Sequence, residues 1–172
     1  EKYSKSDIEN FNFEIEQLKS ITKSKEILQT SFELADKVFN SEILQSLLQL
    51  KFYIKKIESS KTQNLFFVAW LAIIEDVSNI KKEGNGIKYK NRKRTPTGYI
   101  NIDKEAWEKQ VFPEDKFSFV KTKLIKHLEI ISEDIKNNFG NCERQPQIFN
   151  GNCLEFDKFF SDEIQFTFFS PP

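Results

Sequence analysis

The sequence has no methionine, only two cysteines and no net charge, and each of these shortages excludes something. Cys142 and Cys153 show neither metal-ligand spacing nor a signal peptide ahead of them, so two free thiols in a reducing cytosol are expected rather than a disulfide framework. The 26 basic side chains balance 26 acidic ones, which excludes a global field that would steer the chain toward nucleic acid.

Long hydrophobic runs are also missing. The most apolar stretch, Leu65 to Ile74, has ten residues, whereas a bilayer-spanning helix needs ~20. We therefore expect a buried core helix at this position and a cytoplasmic protein without a membrane partner. Because the sequence starts at Glu1 and lacks even an initiator methionine, we also expect it to belong to something longer.

What is present is a globular composition with a strong helical signal. Hydrophobic residues make up 38% and charged residues 30% of 172, enough for one domain with a real core. Apolar spacing predicts a mainly helical region over residues 1–140, including a helix between Ile27 and Val38 and a long amphipathic one from Phe117 to Ile135. The other predicted helices begin at Ser6 or Asp7, at Ser41, at Thr62 and at Asp103.

Residues 80–101 form a basic segment, which glycine and proline are expected to keep irregular. The segment contains one acidic residue, Glu83, and seven basic residues, namely Lys81, Lys82, Lys88, Lys90, Arg92, Lys93 and Arg94. In one interpretation these residues grip a DNA backbone, with Gly84 and Gly86 allowing close approach. In the other, they are a solvated loop whose charges serve solubility.

Residues 141–172 show a different pattern. Ile148 to Glu155 is typical of a short strand, a glycine turn and a helix start, and the apolar run Ile164 to Phe169 predicts a second strand that leads into Ser170-Pro171-Pro172. This order places the two turns side by side at the carboxyl edge of a sheet. Open α/β sheets bind their ligands at that edge.

The same segment resembles the catalytic stretch of DNA amino-methyltransferases, whose pattern is roughly I-x-N-G-D-C-L-E, a short helix, and D-x-I/V-x-L-x-x-[TF]-S-P-P-Y. The aromatic residue that should follow Pro172 is absent, so the chain is expected to end inside the motif. A second segment, Trp70 to Tyr89, resembles a stretch found ahead of that box in some of these enzymes, where an apolar helix precedes V-S-N-x-x-K-x-G-N-G-L-K-Y.

The resemblance implies a chemistry for the last residues. In the family, the first side chain of the box and the carbonyl between the prolines accept hydrogen bonds from the amino group of a base flipped out of the duplex. The prolines hold these acceptors rigidly. By this resemblance Ser170, Pro171 and Pro172 are catalytic. Asn152 stands where the family usually has an acidic residue that binds the adenosine part of S-adenosylmethionine.

We therefore expect an α/β fold: a helical region over 1–140 that contains the basic loop 80–101, followed over 141–172 by the first strands of a Rossmann-like methyltransferase sheet. The resemblance implies a site-specific DNA methyltransferase of a restriction–modification system, acting on double-stranded DNA. Cytosine N4 is favoured over adenine N6. The family's glycine-rich cofactor loop does not occur in these 172 residues, so the chain alone should be inactive.

Three further expectations concern partners and the alternative. The implied partners besides DNA are a cognate restriction endonuclease or a chain that supplies the missing C-terminal half. His127 is interpreted as a surface or helix-packing residue, and Glu75 and Asp76 lack the companion that a nuclease metal site would need. The alternative from a different class is a noncatalytic helical module for DNA binding or subunit contact.

Overall fold

The computed structural model describes residues 3–84 and 86–137. The chain divides into two compact units, of which Tyr3–Phe139 holds all the described residues. Helices account for 61% of them. The helices are α1 Lys5–Ser20, α2 Ala35–Val38, α3 Ser41–Ile54, α4 Ser60–Val77, α5 Lys104–Val111 and α6 Lys116–Asn137. The strands are β1 Ile80–Glu83, β2 Gly86–Tyr89, β3 Arg92–Thr95 and β4 Gly98–Asn101.

The described part is thus α/β, mainly helical with two small antiparallel sheets of two strands each. The strands predicted for a Rossmann-like sheet fall in residues 141–172, outside the described residues.

Helix α6 is the central element of the helical core, with α1, α3 and α4 packed against it. Its apolar residues recur every three or four positions and are buried, as predicted: Phe117, Val120, Leu124 and Leu128. Across the core, the rings of Phe11 and Phe66 meet edge to face at 5.5 Å. Full burial of one such side chain contributes roughly 1.5–3 kcal/mol, so the amphipathic pattern explains why these helices assemble.

The helix starts were predicted to within three residues. The observed N-caps are Ser4, Asn40, Ser59 and Asp103, where the sequence predicted Ser6 or Asp7, Ser41, Thr62 and Asp103. Asp7 does take part in the first cap, because its carboxylate accepts from the backbone N–H of Ser4 at 2.7 Å while Ser4 Oγ accepts from Asp7 N–H at 3.1 Å. This reciprocal capping box satisfies two otherwise unpaired donors.

The helix predicted between Ile27 and Val38 is wrong over most of its length, since only Ala35–Val38 is helical. Ile27 is 75% exposed. Two side chains from α3 instead provide hydrogen bonds to the backbone at the start of this segment and just before it. The Gln45 amide both donates to Leu28 O and accepts from Leu28 N–H, each at 2.9 Å, and Gln49 pairs with Ser24 in the same way.

The apolar run in α4 is helical, as predicted, but it is buried on one face only. Phe66, Ala69 and Ile73 are fully buried, whereas Val68 and Leu71 are 58% and 60% exposed. No helix among those described is both long and apolar enough to cross a membrane.

The prediction of an irregular segment over Ile80 to Ile100 is also wrong. Two consecutive β-hairpins form there, β1 with β2 and β3 with β4. Gly84 follows β1 and has φ +60°, a conformation that suits a hairpin turn and that only glycine adopts without strain. Gly84 and Pro96, which suggested irregular structure, lie in the turns of the two hairpins, while Gly86 and Gly98 begin β2 and β4.

Candidate nucleic-acid interface

The first hairpin carries three lysines and the one acid of the basic segment. Lys81 and Lys88 are register partners across the strands, which brings like charges together on one face. Glu83 relieves this repulsion, because its carboxylate lies 3.4 Å from Lys81 Nζ and 3.5 Å from Lys88 Nζ. The two ammonium groups hold the pKa of Glu83 below its usual value. Lys81 and Lys88 are therefore partly neutralised.

Lys90 has a structural role at the end of α4. Its ammonium donates to the backbone carbonyls of Glu75, Asp76 and Ser78 at 2.5, 3.2 and 3.0 Å. Glu75 and Asp76 belong to the last turn of the helix and Ser78 is its C-cap, which itself donates its N–H to Glu75 O at 3.3 Å. Carbonyls at this end of a helix need partners from outside it. Burial lowers the pKa of Lys90, against the raising effect of the nearby carboxylates of Asp76 and Glu75.

Both hairpins are closed at their bases by further backbone bonds. Lys90 N–H donates to Asn79 O at 2.8 Å, one position beyond the β1–β2 ladder, and Ile102 N–H donates to Asn91 O at 2.9 Å beyond the β3–β4 ladder. The Asn91 side chain also donates to Ile102 O at 2.7 Å. The junction between the hairpins, Lys90-Asn91, is thus tied to the helical unit from both sides.

A buried network of hydrogen bonds connects the start of the first hairpin to the helices. Glu108 of α5 is 8% exposed; its carboxylate accepts from Asn79 Nδ2 at 2.6 Å and from Asn40 Nδ2 at 2.7 Å. Asn40 is the N-cap of α3, and Asn79 also donates its N–H to Val38 O at 2.7 Å. One carboxylate therefore joins α3, α5 and the start of the first hairpin.

The strands of the second hairpin are almost entirely exposed. No residue of β3 or β4 is buried. The register pairs Arg92 with Asn101 and Arg94 with Tyr99, and these four residues share one face because side chains alternate along a strand. The Arg92 guanidinium lies over the Tyr99 ring, 4.3 Å from its centroid. We call this set the arginine face: Arg92, Arg94, Tyr99 and Asn101.

Several cations near the hairpins lack an acidic partner. Within residues 3–84 and 86–137, no carboxylate forms a salt bridge with Lys37, Lys82, Arg92, Lys93 or Arg94. A cleft of about 660 Å³ opens between the hairpin bases and α5. Its lining includes three amides and three cations, namely Asn79, Asn91, Asn101, Lys37, Arg92 and Lys104. Asp36 also lines the cleft, and Lys104 pairs with Glu108 at 3.7 Å. Lys37 and Arg92, which lack an acidic partner, lie beside the amides and form a surface suited to phosphate and base contacts.

The seven predicted DNA-contact residues thus differ in their surroundings. Lys81 and Lys88 share Glu83, Lys90 caps α4, and Lys82, Arg92, Lys93 and Arg94 are exposed on the hairpins. The residues predicted to be catalytic, Ser170, Pro171 and Pro172, and the predicted cofactor contact Asn152 lie outside the described residues. In the described ranges no group of three His, Cys, Asp or Glu is placed to hold a metal ion.

Sequence reasoning missed the stacking of Arg92 on Tyr99 and the network around Glu108. A signal for the first was available: Arg92-Lys93-Arg94 and Tyr99 flank Pro96-Thr97-Gly98, and such a turn predicts a hairpin that brings its flanks together. The network around Glu108 depends on contacts with Asn79 and Asn40, which lie 29 and 68 positions earlier in the chain. No local pattern marks those.

Comparison of the chain with family models, with curated proteins and with solved structures gave no match. The likeness to DNA amino-methyltransferases therefore depends on the motifs in residues 70–89 and 148–172.

Proposed function

We propose that the protein is a site-specific DNA methyltransferase of a restriction–modification system. It transfers a methyl group from S-adenosylmethionine to an exocyclic amine of a flipped base, with cytosine N4 favoured and adenine N6 as the second target. One observation of the described residues supports this most: exposed cations without acidic partners lie on two hairpins that directly follow the segment Val77-Ser78-Asn79 of the family-like stretch. The family must hold duplex DNA, and such cations are what phosphates require.

The proposed roles follow the motif. Ser170 Oγ and the carbonyl of Pro171 accept hydrogen bonds from the target amine and direct its lone pair toward the methyl donor. Asn152 binds the adenosine part of S-adenosylmethionine through an amide in place of the usual acid. The Rossmann-like sheet that would carry these residues belongs to this proposal.

Methylation of cellular DNA tests the proposal. The gene that encodes the chain, read to its natural stop codon, is expressed in a bacterial host without DNA methyltransferases, and the genomic DNA is sequenced by a method that detects N4-methylcytosine and N6-methyladenine. We expect one modified amine within one short sequence. Ser170→Ala should abolish the modification while the purified variant still binds duplex DNA. Unmodified DNA in cells that contain the folded wild-type protein would overturn the proposal.

The alternative, a noncatalytic module for DNA binding or subunit contact, is favoured by one observation. An apolar groove of about 570 Å³ lies among α3, α4 and β2, lined in part by Trp70, Ile74 and Ile87. Ile87 is 71% exposed. A subunit-contact module would use such a groove. Duplex binding by the purified protein, together with unmodified genomic DNA in the methylation assay, would decide for this alternative.

A further inference from the structure

We propose that the β3–β4 hairpin enters the major groove of duplex DNA as a two-stranded ribbon, where Arg92 and Arg94 read guanine. The inference depends on the proposed function, because it takes duplex DNA as the partner. It goes further by assigning base recognition to residues that the sequence indicated only as cations for the DNA backbone.

The shape of the hairpin is the first argument. Neither strand belongs to a larger sheet, and all eight strand residues are exposed or half-buried. A ribbon of two strands is admitted by the major groove of B-DNA, which is ~12 Å wide. Arg92 and Asn101 at the base of the hairpin line the cleft beside α5, but all four residues of the arginine face are exposed. That face can therefore meet the floor of the groove while the other points outward.

The distribution of side chains between the two faces is the second argument. The arginine face holds the residue types that form bidentate hydrogen bonds to bases, Arg to guanine O6 and N7 and Asn to adenine. Lys93 and its register partner Ile100 lie on the opposite face. An ammonium acts as a point charge without a fork of donors. The two faces therefore differ in what they can recognise.

The state of Arg92 is the third argument. Its guanidinium is stacked on Tyr99 at 4.3 Å and pairs with no carboxylate of the described residues. Stacking covers one flat side of the guanidinium and leaves its N–H edge available. Such a contact favours the stacked side-chain conformation, so the donors are oriented before DNA arrives. This preorganisation lowers the conformational-entropy cost of ordering the Arg92 side chain on binding.

The decisive experiment exchanges Arg for Lys, which keeps the charge and removes the fork. The chain of 172 residues is incubated with a library of duplexes that carry a randomised central segment, and the bound duplexes are sequenced. We expect the wild type to select a motif containing guanine. Arg94→Lys should lower the preference for guanine at one position by about tenfold or more, and Arg92→Lys at another, with binding to unselected duplex within about twofold of wild type.

Lys93→Ala on the opposite face is the matched control. It should leave the selected motif unchanged, because Lys93 lies on the face that points away from the floor of the groove and a lysine lacks the fork of donors that reads a base. Circular dichroism establishes that each variant keeps the wild-type helix content.

Three results would overturn the inference. If Arg92→Lys and Arg94→Lys select the wild-type motif, the arginines contact phosphate only, and the proposed methyltransferase function stands. If the wild type binds duplexes without sequence preference, base recognition by the arginines is again refuted, and the proposed methyltransferase function again stands. If the wild type binds no duplex at all, the inference fails, and the methylation assay decides separately whether the proposed function fails with it.

Discussion

Asn79 donates a 2.6 Å hydrogen bond from its side-chain amide to the Glu108 carboxylate, and both side chains are buried. The distance fixes the orientation of the amide, because a carboxylate accepts and the nitrogen must therefore face it. The other end of the amide, Asn79 Oδ1, is buried without a partner among the described residues. The Asn79 amide is thus satisfied at its donor end alone, by Glu108.

Removal of Glu108 should therefore destabilise the fold. Glu108→Ala leaves the amides of Asn79 and Asn40 without their acceptor, and we expect a loss of about 1–3 kcal/mol in the free energy of unfolding. Glu108→Gln, which keeps one acceptor oxygen, should lose less. Urea unfolding followed by circular dichroism measures both. Glu105→Ala on the exposed side of the same helix is the control, and equal midpoints for Glu105→Ala and Glu108→Ala would refute the prediction.

Two lysines of the basic segment should separate stability from DNA binding. Lys90→Met removes the hydrogen bonds to the last carbonyls of α4 and should lower the free energy of unfolding by about 1–3 kcal/mol. Lys93→Met should leave stability within about 0.5 kcal/mol. If Lys93 contacts a phosphate, the slope of log affinity against log salt should flatten by ~0.9. A wild-type salt slope for Lys93→Met would mean that this charge is solvated and serves solubility.

The capping box of α1 should make stability depend on acid pH. Hydrogen bonds from Ser4 to its carboxylate, together with Lys61, lower the pKa of Asp7 from the ordinary 3.8. A carboxyl whose pKa is lower in the folded chain stabilises the fold above its unfolded pKa, and this contribution is lost as the pH falls through the folded value. The variant Asp7→Asn should thus be less stable than wild type at neutral pH. The difference should vanish well below pH 3.8, and thermal unfolding at both pH values measures it. A difference independent of pH would count against the capping box.

Two glycines of the first hairpin form a matched pair. Gly84 has φ +60°, whereas Gly86 does not have a positive φ and a Cβ there would meet no atom within 4 Å. Gly84→Ala should cost about 1–2 kcal/mol of hairpin stability, because an L-residue is strained in that conformation. Gly86→Ala should be tolerated. Hydrogen exchange of the Lys90 amide, which closes the hairpin, measures both effects; equal protection in the two variants would mean that the turn tolerates a side chain.

The helices could be predicted from the sequence because their signal is local. The buried residues of α6 recur at helical spacing within one segment, and a cap lies next to the helix it begins. The segment from Ile27 to Val38 has a similar spacing. There, however, the Gln45 amide binds the backbone of Leu28, and Gln49 binds Ser24 just before the segment. These are tertiary contacts that no window of sequence reveals.

The hairpins were harder to predict for a physical reason. Their strands are rich in lysine and arginine and lack the apolar alternation that marks a half-buried strand. They are stabilised instead by the hydrogen bonds between paired strands, and at the base of the first hairpin by the contacts of Lys90 with α4 and of Asn79 with Glu108 of α5. The seven basic residues of the candidate interface could be found from composition. The capping role of Lys90 could not, since it depends on helix carbonyls that lie 12 to 15 positions earlier in the chain.

The closed bases of the two hairpins have a consequence for how this chain can diverge. Asn79 with Lys90 and Asn91 with Ile102 seal each hairpin where it leaves the helical unit, and no strand residue of the second hairpin is buried. Residues 92–101 can therefore be exchanged, lengthened or replaced without repacking the core. A descendant of this chain could therefore acquire a new surface chemistry at this hairpin while its helices stay as they are.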